Sequence, residues 1–188
     1  RWRFQWRRRW LWRRRRFGEM VGDMDIGRII RHFLTLPWQV RQVFPARTMR
    51  AIEGAISESE STHYGEIRFA VEAALDPVSL IRGKSARERA VELFSELRVW
   101  DTERNNGVLV YLLLADRDVE IVADRGIHRD VGLPGWEEIC REMEQAFRQG
   151  RFEEGALAGI SAISRHLARH YPAAGANENE LPDQTLVL

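Results

Sequence analysis

Cysteine is nearly absent from this chain, which has Cys140 alone among its 188 residues. A single thiol cannot form an internal disulfide, and no paired spacing of Cys and His suggests a structural zinc site. A hydrophobic core must therefore hold the fold, and an apolar content of 44% is sufficient for a domain of this length. We expect one domain with frayed ends, in which Cys140 is a core residue of a helix.

Long apolar runs are missing as well. The longest, from Val108 to Ala115, is far shorter than the roughly 20 residues that a membrane-spanning helix requires. The chain also has no glycine-rich phosphate loop, nucleophile elbow or dinucleotide fingerprint, and Ser161 and Ser164 are predicted inside a helix without a base partner. The sequence thus gives no support for a transmembrane protein, a nucleotide-binding enzyme or a serine hydrolase. A cytoplasmic location is expected, with membrane association as an alternative.

The net charge of +1 conceals two oppositely charged parts. The first 16 residues carry nine of the 29 Lys and Arg residues, and without them 20 basic residues stand against 28 acidic ones, a balance of −8. An acidic body repels nucleic acid and attracts divalent cations and basic partners. We therefore expect no binding of nucleic acid through the body of the protein.

Residues 1–19 form a basic head in which arginine is interleaved with Trp2, Trp6, Trp10 and Trp12. Taken as protein, this is a cationic segment of the kind that binds anionic membranes or nucleic acid. A second interpretation comes from the genetic code. The codons TGG for Trp and CGG for Arg both become glycine codons when read one base later, so the head is also what a glycine-rich gene gives in the wrong frame. Translation would then begin at Met20 or Met24.

A helical arm is predicted over residues 20–44, followed by a domain over residues 45–172. The arm has apolar residues at helical spacing on both sides of Pro37, which interrupts the helix. We expect this apolar stripe to pack on the domain, and binding to a membrane surface is the alternative. The apolar positions of the arm are Ile26, Ile29, Ile30, Phe33, Leu34, Val40, Val43 and Phe44.

The domain is predicted to alternate helices and strands. Residues 85–97 begin with Ser85 and Glu88 in a capping-box pattern, and residues 107–115 are the continuous apolar run of a strand covered on both faces. Residues 173–188 are polar and predicted to be flexible, apart from a contact by Leu186, Val187 and Leu188. The predicted helices are residues 48–61, 85–97, 134–148 and 152–170, and the predicted strands are residues 66–75, 107–115 and 119–124.

The order of these elements predicts an α/β fold, a three-layer α/β/α sandwich with a small mixed sheet. The first two strands are joined by a crossover helix and should be parallel, whereas the second and third form a hairpin and should be antiparallel. Three polar segments then meet at one end of the sheet. They are Glu66 before the first strand, the loop 101–107 before the second, and Asp124 after the third.

This end of the sheet is rich in the oxygen ligands that calcium and magnesium prefer. We predict Asp101, Asp124 and Glu66 as candidate metal ligands, with Thr102, Asn105, Asn106 and Arg125 as further site residues. Ordinary structural roles are the alternative. In that case the loop residues form a turn and cap the loop, and Glu66 pairs with Arg125.

Several stretches of the sequence also carry a family resemblance. They are Thr62–Arg68, Val99–Leu109, Val119–Ile127, Trp136 and Phe147–Gly155. In this order, over about Pro45 to Pro172, they resemble the TPM family, and a bacterial cytosolic member in particular. The resemblance implies a mixed sheet between helices, divalent metal as in some relatives, and the weak acid-phosphatase activity of a related plant thylakoid-lumen protein. Many relatives have a secretion signal and a membrane anchor, which this sequence does not show.

Three histidines are further candidates for functional residues. His166 and His170 have the spacing of a two-histidine metal face, but Arg165 and Arg169 flank them, which favours a solvated basic helix end. His128 lies near the predicted site and is interpreted as a surface residue, with an acid or base role as the alternative. No catalytic residue is assigned.

The sequence therefore supports three functional hypotheses. The first is a divalent-cation-binding interaction module that engages a protein partner, or a membrane-associated assembly, through the acidic end of the sheet. The second is a metal-dependent phosphatase with Asp101 or Asp124 as ligands and Glu66 as the base. The third is a structural domain without metal. The oligomeric state is left open.

Overall fold

The computed structural model describes residues 25–174 and 179–188, so the basic head and the start of the predicted arm lie outside the described residues. No helix within these ranges is long and apolar enough to cross a membrane. The elements in chain order are α1 (Ile26–Leu34), α2 (Pro37–Val43), α3 (Ala46–Glu60), β1 (Ile67–Glu72), α4 (Pro77–Ile81), α5 (Ala86–Glu96), β2 (Val108–Leu113), β3 (Asp118–Ala123), α6 (Arg125–Arg148), α7 (Phe152–His170) and β4 (Leu186–Val187).

The four strands form one mixed sheet in the order β3-β2-β1-β4. β1 and β2 are parallel, with Ile67 opposite Val108, and β2 and β3 are antiparallel, with Val108 opposite Ala123. Both strand directions confirm the topology predicted from the crossover and the hairpin. The first residues of β1 and β2 and the last residues of β3 therefore lie at one end of the sheet.

Strand alternation builds two cores, one on each face of the sheet. Ile67, Phe69 and Val71 of β1 pack on one face, in the core that α2, α3, α6 and α7 complete. Leu109 and Tyr111 of β2 pack on the other face, in the core that α5 completes. Every residue of β2 is buried, as the continuous apolar run predicts. The sandwich of two helical layers around a small mixed sheet is confirmed.

α6 is longer than the sequence predicts, because it begins at Arg125 and not at Pro134. Gly132 has φ 74° inside it, a left-handed conformation that kinks the helix just before Pro134. These two residues interrupt the helical pattern, so only the second part was predicted. The first part places the N-terminus of α6 at the acidic end of the sheet.

The C-terminal residues pack against the sheet. β4 pairs in parallel with β1, with Ala70 opposite Leu186, and Leu181 is buried in the core beneath α5. For residues 179–188, this differs from the flexible tail expected over 173–188 and extends the predicted contact of the last three residues. The polar composition suggested flexibility, but the backbone of the segment is held by carboxylates of the domain that lie far away in the sequence.

The helical arm is present as α1 and α2, but α1 packs the opposite way from the prediction. Its polar residues face the domain: His32 is 3% exposed and accepts a hydrogen bond at Nδ1 from the Leu75 amide (3.0 Å). Arg28 Nε lies 2.9 Å from Asp116 in the β2–β3 turn. Most of the apolar stripe of α1 is exposed, namely Ile26, Ile30, Phe33 and Leu34. The predicted packing of the stripe is wrong for these residues and correct for Val40 and Phe44, which are buried.

Candidate functional site

Four of the predicted site residues come together at one end of the sheet, and we call Thr102, Asn105, Asn106 and Asp124 the rim cluster. The loop before β2 is folded on itself, because the Asn106 amide donates to Thr102 Oγ1 (3.1 Å). The loop is also docked on α6, since the Asn105 carbonyl accepts from the amides of Gly126 (3.0 Å) and Ile127 (3.3 Å). The start of β2 and the start of α6 are thereby joined.

Asp124 is the acidic residue of the rim cluster, and hydrogen bonds constrain both its side chain and its backbone. It caps α6, with Oδ1 accepting a hydrogen bond from the Arg125 amide (2.6 Å), and its own amide donates to the Gly107 carbonyl (2.9 Å). Its side chain is buried, and Oδ2 has no hydrogen-bond partner. The N-terminus of α6 favours a negative charge here, but half of the carboxylate is left without a donor.

Asn106 presents a second oxygen without a donor. The residue is fully buried, and its Nδ2 donates to the Tyr64 carbonyl (3.0 Å), which fixes the orientation of the amide. The remaining oxygen, Oδ1, has no hydrogen-bond partner. Because the Asp124 amide donates a hydrogen bond to the carbonyl of Gly107, the residue next to Asn106, the two residues that carry these oxygens lie close together. Buried acceptors without donors cost free energy, so the rim cluster is suited to a ligand that supplies positive charge.

Close backbone approach explains the glycines beside the rim cluster. A Cβ at Gly126 would lie 2.5 Å from the Asn105 carbonyl oxygen and 2.7 Å from the Tyr171 hydroxyl. A Cβ at Gly107 would lie 1.9 Å from the carbonyl oxygen of Val99. Only glycine allows the loop, β2 and α6 to meet at these distances. Sequence reasoning missed Tyr64 and Tyr171, whose roles depend on contacts between distant segments.

The other predicted site residues lie elsewhere. Asp101 and Arg125 are exposed, at the two outer edges of the rim cluster. Glu66 is fully buried and accepts hydrogen bonds from the amides of Glu180 (3.3 Å) and Leu181 (3.2 Å), so its predicted pairing with Arg125 is replaced by a contact with the C-terminal segment. Within residues 25–174 and 179–188, no three Asp, Glu, His or Cys side chains form a group that could hold a metal ion. Calcium also binds asparagine and backbone oxygens.

Glu66 belongs to a second set of charged groups, the buried acid cluster of Glu60, Glu66, Arg68 and Asp183. Burial raises the pKa of Glu60 to about 9, against the opposing effect of the hydrogen bond from the Ile67 amide (2.9 Å), and Asp183 and Glu66 raise it further. Burial raises the pKa of Glu66 to about 7. Burial lowers the pKa of Arg68, and electrostatic interactions with Asp183 and Glu60 partly offset this decrease. This cluster contacts the C-terminal segment. It could not be predicted from the sequence, because Glu60 and Asp183 lie far apart along the chain.

The buried acid cluster predicts that stability falls as the pH rises. In the folded protein, Glu60 and Glu66 have pKa values above the ordinary 4.5. Their contribution to the free energy of unfolding is therefore complete below pH 4.5. It is lost as the pH rises to about 7 for Glu66 and about 9 for Glu60. The change Glu60→Gln keeps an acceptor for the Ile67 amide and removes the ionisation. We expect this variant to gain stability relative to the native chain between pH 5 and pH 9, by at most about 5 kcal/mol, measured by urea unfolding.

A matched control for this experiment is Glu58→Gln, because Glu58 is an exposed residue of the same helix. It should follow the pH dependence of the native chain. A native chain whose stability is level from pH 5 to pH 9 would contradict the prediction.

The surroundings of the remaining polar candidates indicate structural roles. Ser164 does have a base partner, which corrects the prediction: its Oγ lies 3.2 Å from His63 Nε2, and His63 Nδ1 lies 3.0 Å from the Gly65 carbonyl. His63 is fully buried, and burial lowers its pKa, so this pair connects the segment before β1 to α7 inside the protein. His128 and His170 are exposed, and Cys140 is buried as predicted.

Comparison with known proteins identifies the surroundings of the rim cluster as part of a known domain. The model of the TPM domain family matches residues 39–166, which is more than half of the chain. The NMR structure of the BA42 protein from the psychrophilic bacterium Bizionia argentinensis is similar, with 29% identity and a TM-score of 0.68 over 76% of this chain and 94% of that one. The N-terminal domain of a P. gingivalis protein shares the fold, with 19% identity and a TM-score of 0.54 over 69% and 82% of the two chains. A comparison with curated proteins gives no match.

Proposed function

We propose that this chain, which belongs to the TPM domain family, is an interaction module whose rim cluster binds calcium or magnesium and engages a protein partner. The observation that carries the proposal is the pair of buried oxygens without donors, Asp124 Oδ2 and Asn106 Oδ1. One is a carboxylate oxygen and the other an amide oxygen, both of which are ligands of hard divalent cations.

The residues present fit such an ion. Asp124 would contribute the negative charge and Asn106 a neutral oxygen, while exposed Asp101 on the same loop is available as a further carboxylate. A bound cation would neutralise Asp124 and attract oxygen groups of the partner. The partner would contact the exposed side chains around the rim cluster, which are Asp101, Asn105 and Arg125.

Glu66 is excluded from this ligand set, because its carboxylate holds the amides of Glu180 and Leu181. The phosphatase hypothesis would need this same carboxylate as its base. We therefore favour cation binding and protein interaction over hydrolysis.

Calcium is expected to raise the melting temperature of the native chain, by an amount that grows with the logarithm of the free ion concentration above the dissociation constant. The change Asp124→Asn should abolish this shift, because it removes the charged ligand. Asparagine is itself a good N-cap, so without metal the variant should be as stable as the native chain to within about 1 kcal/mol. Differential scanning fluorimetry with calcium, and separately with magnesium, measures both effects.

The matched control is Glu103→Gln, which removes an exposed negative charge from the same loop and should keep the calcium shift. Absence of a shift in the native chain up to millimolar calcium and magnesium would overturn the metal proposal. A calcium shift that persists unchanged in Asp124→Asn would show that Asp124 is a helix cap and not a ligand. Cation-dependent turnover of p-nitrophenyl phosphate that disappears in Asp124→Asn would instead support the phosphatase alternative.

A further inference from the structure

The arm formed by α1 and α2 carries the largest group of exposed apolar side chains in the part of the chain that the structure describes. Six of its large apolar residues are between 46% and 68% exposed. They are Ile26, Ile30, Phe33, Leu34, Leu36 and Trp38. Large apolar side chains grouped in this way mark a surface that binds another apolar surface.

The outward direction of this apolar face is fixed by the contacts on the opposite side of α1. Arg28 is 2.8 Å from the Asp116 carboxylate and also donates to the Lys84 carbonyl (2.7 Å). His32 Nε2 lies 3.1 Å from Asp116, and its other ring nitrogen accepts from Leu75. Rotating the helix to bury its apolar residues would break these buried polar contacts, so the apolar face is held toward the exterior.

The charge around this face is positive, whereas the rest of the body is acidic. Residues 25–50 contain one acidic residue and five arginines, of which Arg28 and Arg31 pair with Asp116 and the other three are exposed, while residues 51–188 contain 15 basic and 25 acidic residues. Arg41 is exposed one turn after Trp38 on α2, and Arg47 and Arg50 are exposed on α3. Two arms facing each other would bring like charges together. An anionic lipid surface matches both the apolar residues and the charge.

We propose that the arm lies on an anionic membrane surface, with Ile30, Phe33 and Trp38 in the interfacial region and the arginines near the lipid head groups. Asp116, which anchors α1, lies in the β2–β3 turn, at the opposite end of these strands from the rim cluster. The rim cluster therefore points away from the membrane and stays free for a partner. The proposal does not depend on cation binding.

The test uses the full chain with Phe33→Cys labelled by the environment-sensitive dye NBD. Cys140 is only 3% exposed, so the label reports residue 33 alone. With vesicles of phosphatidylcholine and phosphatidylserine, the emission should rise several-fold and shift to the blue, and with phosphatidylcholine alone the change should be much smaller. The matched control, Val91→Cys on α5, is 45% exposed and should show no change.

A second variant adds Ile30→Glu to the labelled chain. It should require at least about tenfold more lipid for the same change in emission, because a charged group then faces the interface. Its melting temperature should be unchanged, since Ile30 is 52% exposed. An unchanged emission at residue 33 with phosphatidylserine vesicles overturns the proposal. So does a rise that depends on protein concentration in the absence of lipid, which would show that a second copy covers the face.

Discussion

Replacing Leu112 by aspartate is expected to leave most of the expressed protein insoluble, because this change places a carboxylate in the middle of the sheet. Leu112 is 2% exposed and pairs with Val71 of β1 on one side and Val119 of β3 on the other. An unpaired buried charge costs several kcal/mol, a large part of the roughly 5–15 kcal/mol that stabilises a domain of this size. The soluble fraction after expression, and urea unfolding of that fraction, measure the effect.

Two control variants separate the buried charge from other consequences of substitution at this position. Leu112→Met preserves the volume and should cost less than about 1.5 kcal/mol. Val91→Asp introduces the same charge at an exposed position of α5 and should remain soluble. A soluble Leu112→Asp variant with a native melting curve would show that β2 is not the central, doubly covered strand.

Signals that lie within a short stretch of sequence predicted their structures correctly. Ser85 and Glu88 form the expected capping box, with the Glu88 amide donating to Ser85 Oγ (3.1 Å) and the Ser85 amide donating to Glu88 Oε2 (2.7 Å). α7 begins and ends at the predicted residues, Phe152 and His170. Such patterns depend on neighbouring residues alone, and the crossover connection and the hairpin then determined the strand directions.

The convergence of the rim cluster followed from those strand directions. Asn106 precedes β2 and Asp124 follows β3, so an antiparallel pair must bring them together. Glu66 shared the same end of the sheet, but strand alternation turns Glu66 and Arg68 away from the core that receives Ile67. The identity of the segment that covers this side, the C-terminal residues, could not be predicted because its composition resembles that of a disordered tail.

The orientation of α1 also could not be predicted from its pattern. Periodicity identifies an apolar and a polar face, but it does not say which one meets the domain. The deciding contact joins Arg28 to Asp116, 88 residues further along the chain. The sequence alone indicates only that Asp116 is a residue of a tight turn.

Asp116 therefore supplies the second large effect, and Asp116→Asn is expected to destabilise the protein by about 3 kcal/mol. The carboxylate faces Arg28 and His32 and lies 3.8 Å from Arg31, and its side chain is 11% exposed. Despite the opposing effect of burial, the hydrogen bonds from His32 and Arg28 and the positive charge of Arg28 lower the pKa of Asp116 to about 2. The contribution of Asp116 to the free energy of unfolding is present above the ordinary pKa of 3.8 and is lost as the pH falls from there to about 2. This part of the acid unfolding should be absent in Asp116→Asn.

The control for this variant is Glu92→Gln, which breaks the 2.8 Å contact between Lys84 and a 43% exposed carboxylate and should cost less than about 1 kcal/mol. Hydrogen exchange then distinguishes detachment of α1 from weakening of the whole domain. The Leu75 amide donates to His32 Nδ1, so its exchange should accelerate strongly in Asp116→Asn if the helix detaches. The amides of β2 should accelerate only as far as the loss of global stability allows. Equal unfolding midpoints for Asp116→Asn and Glu92→Gln, with unchanged protection at Leu75, would show that Asp116 does not hold the arm in place.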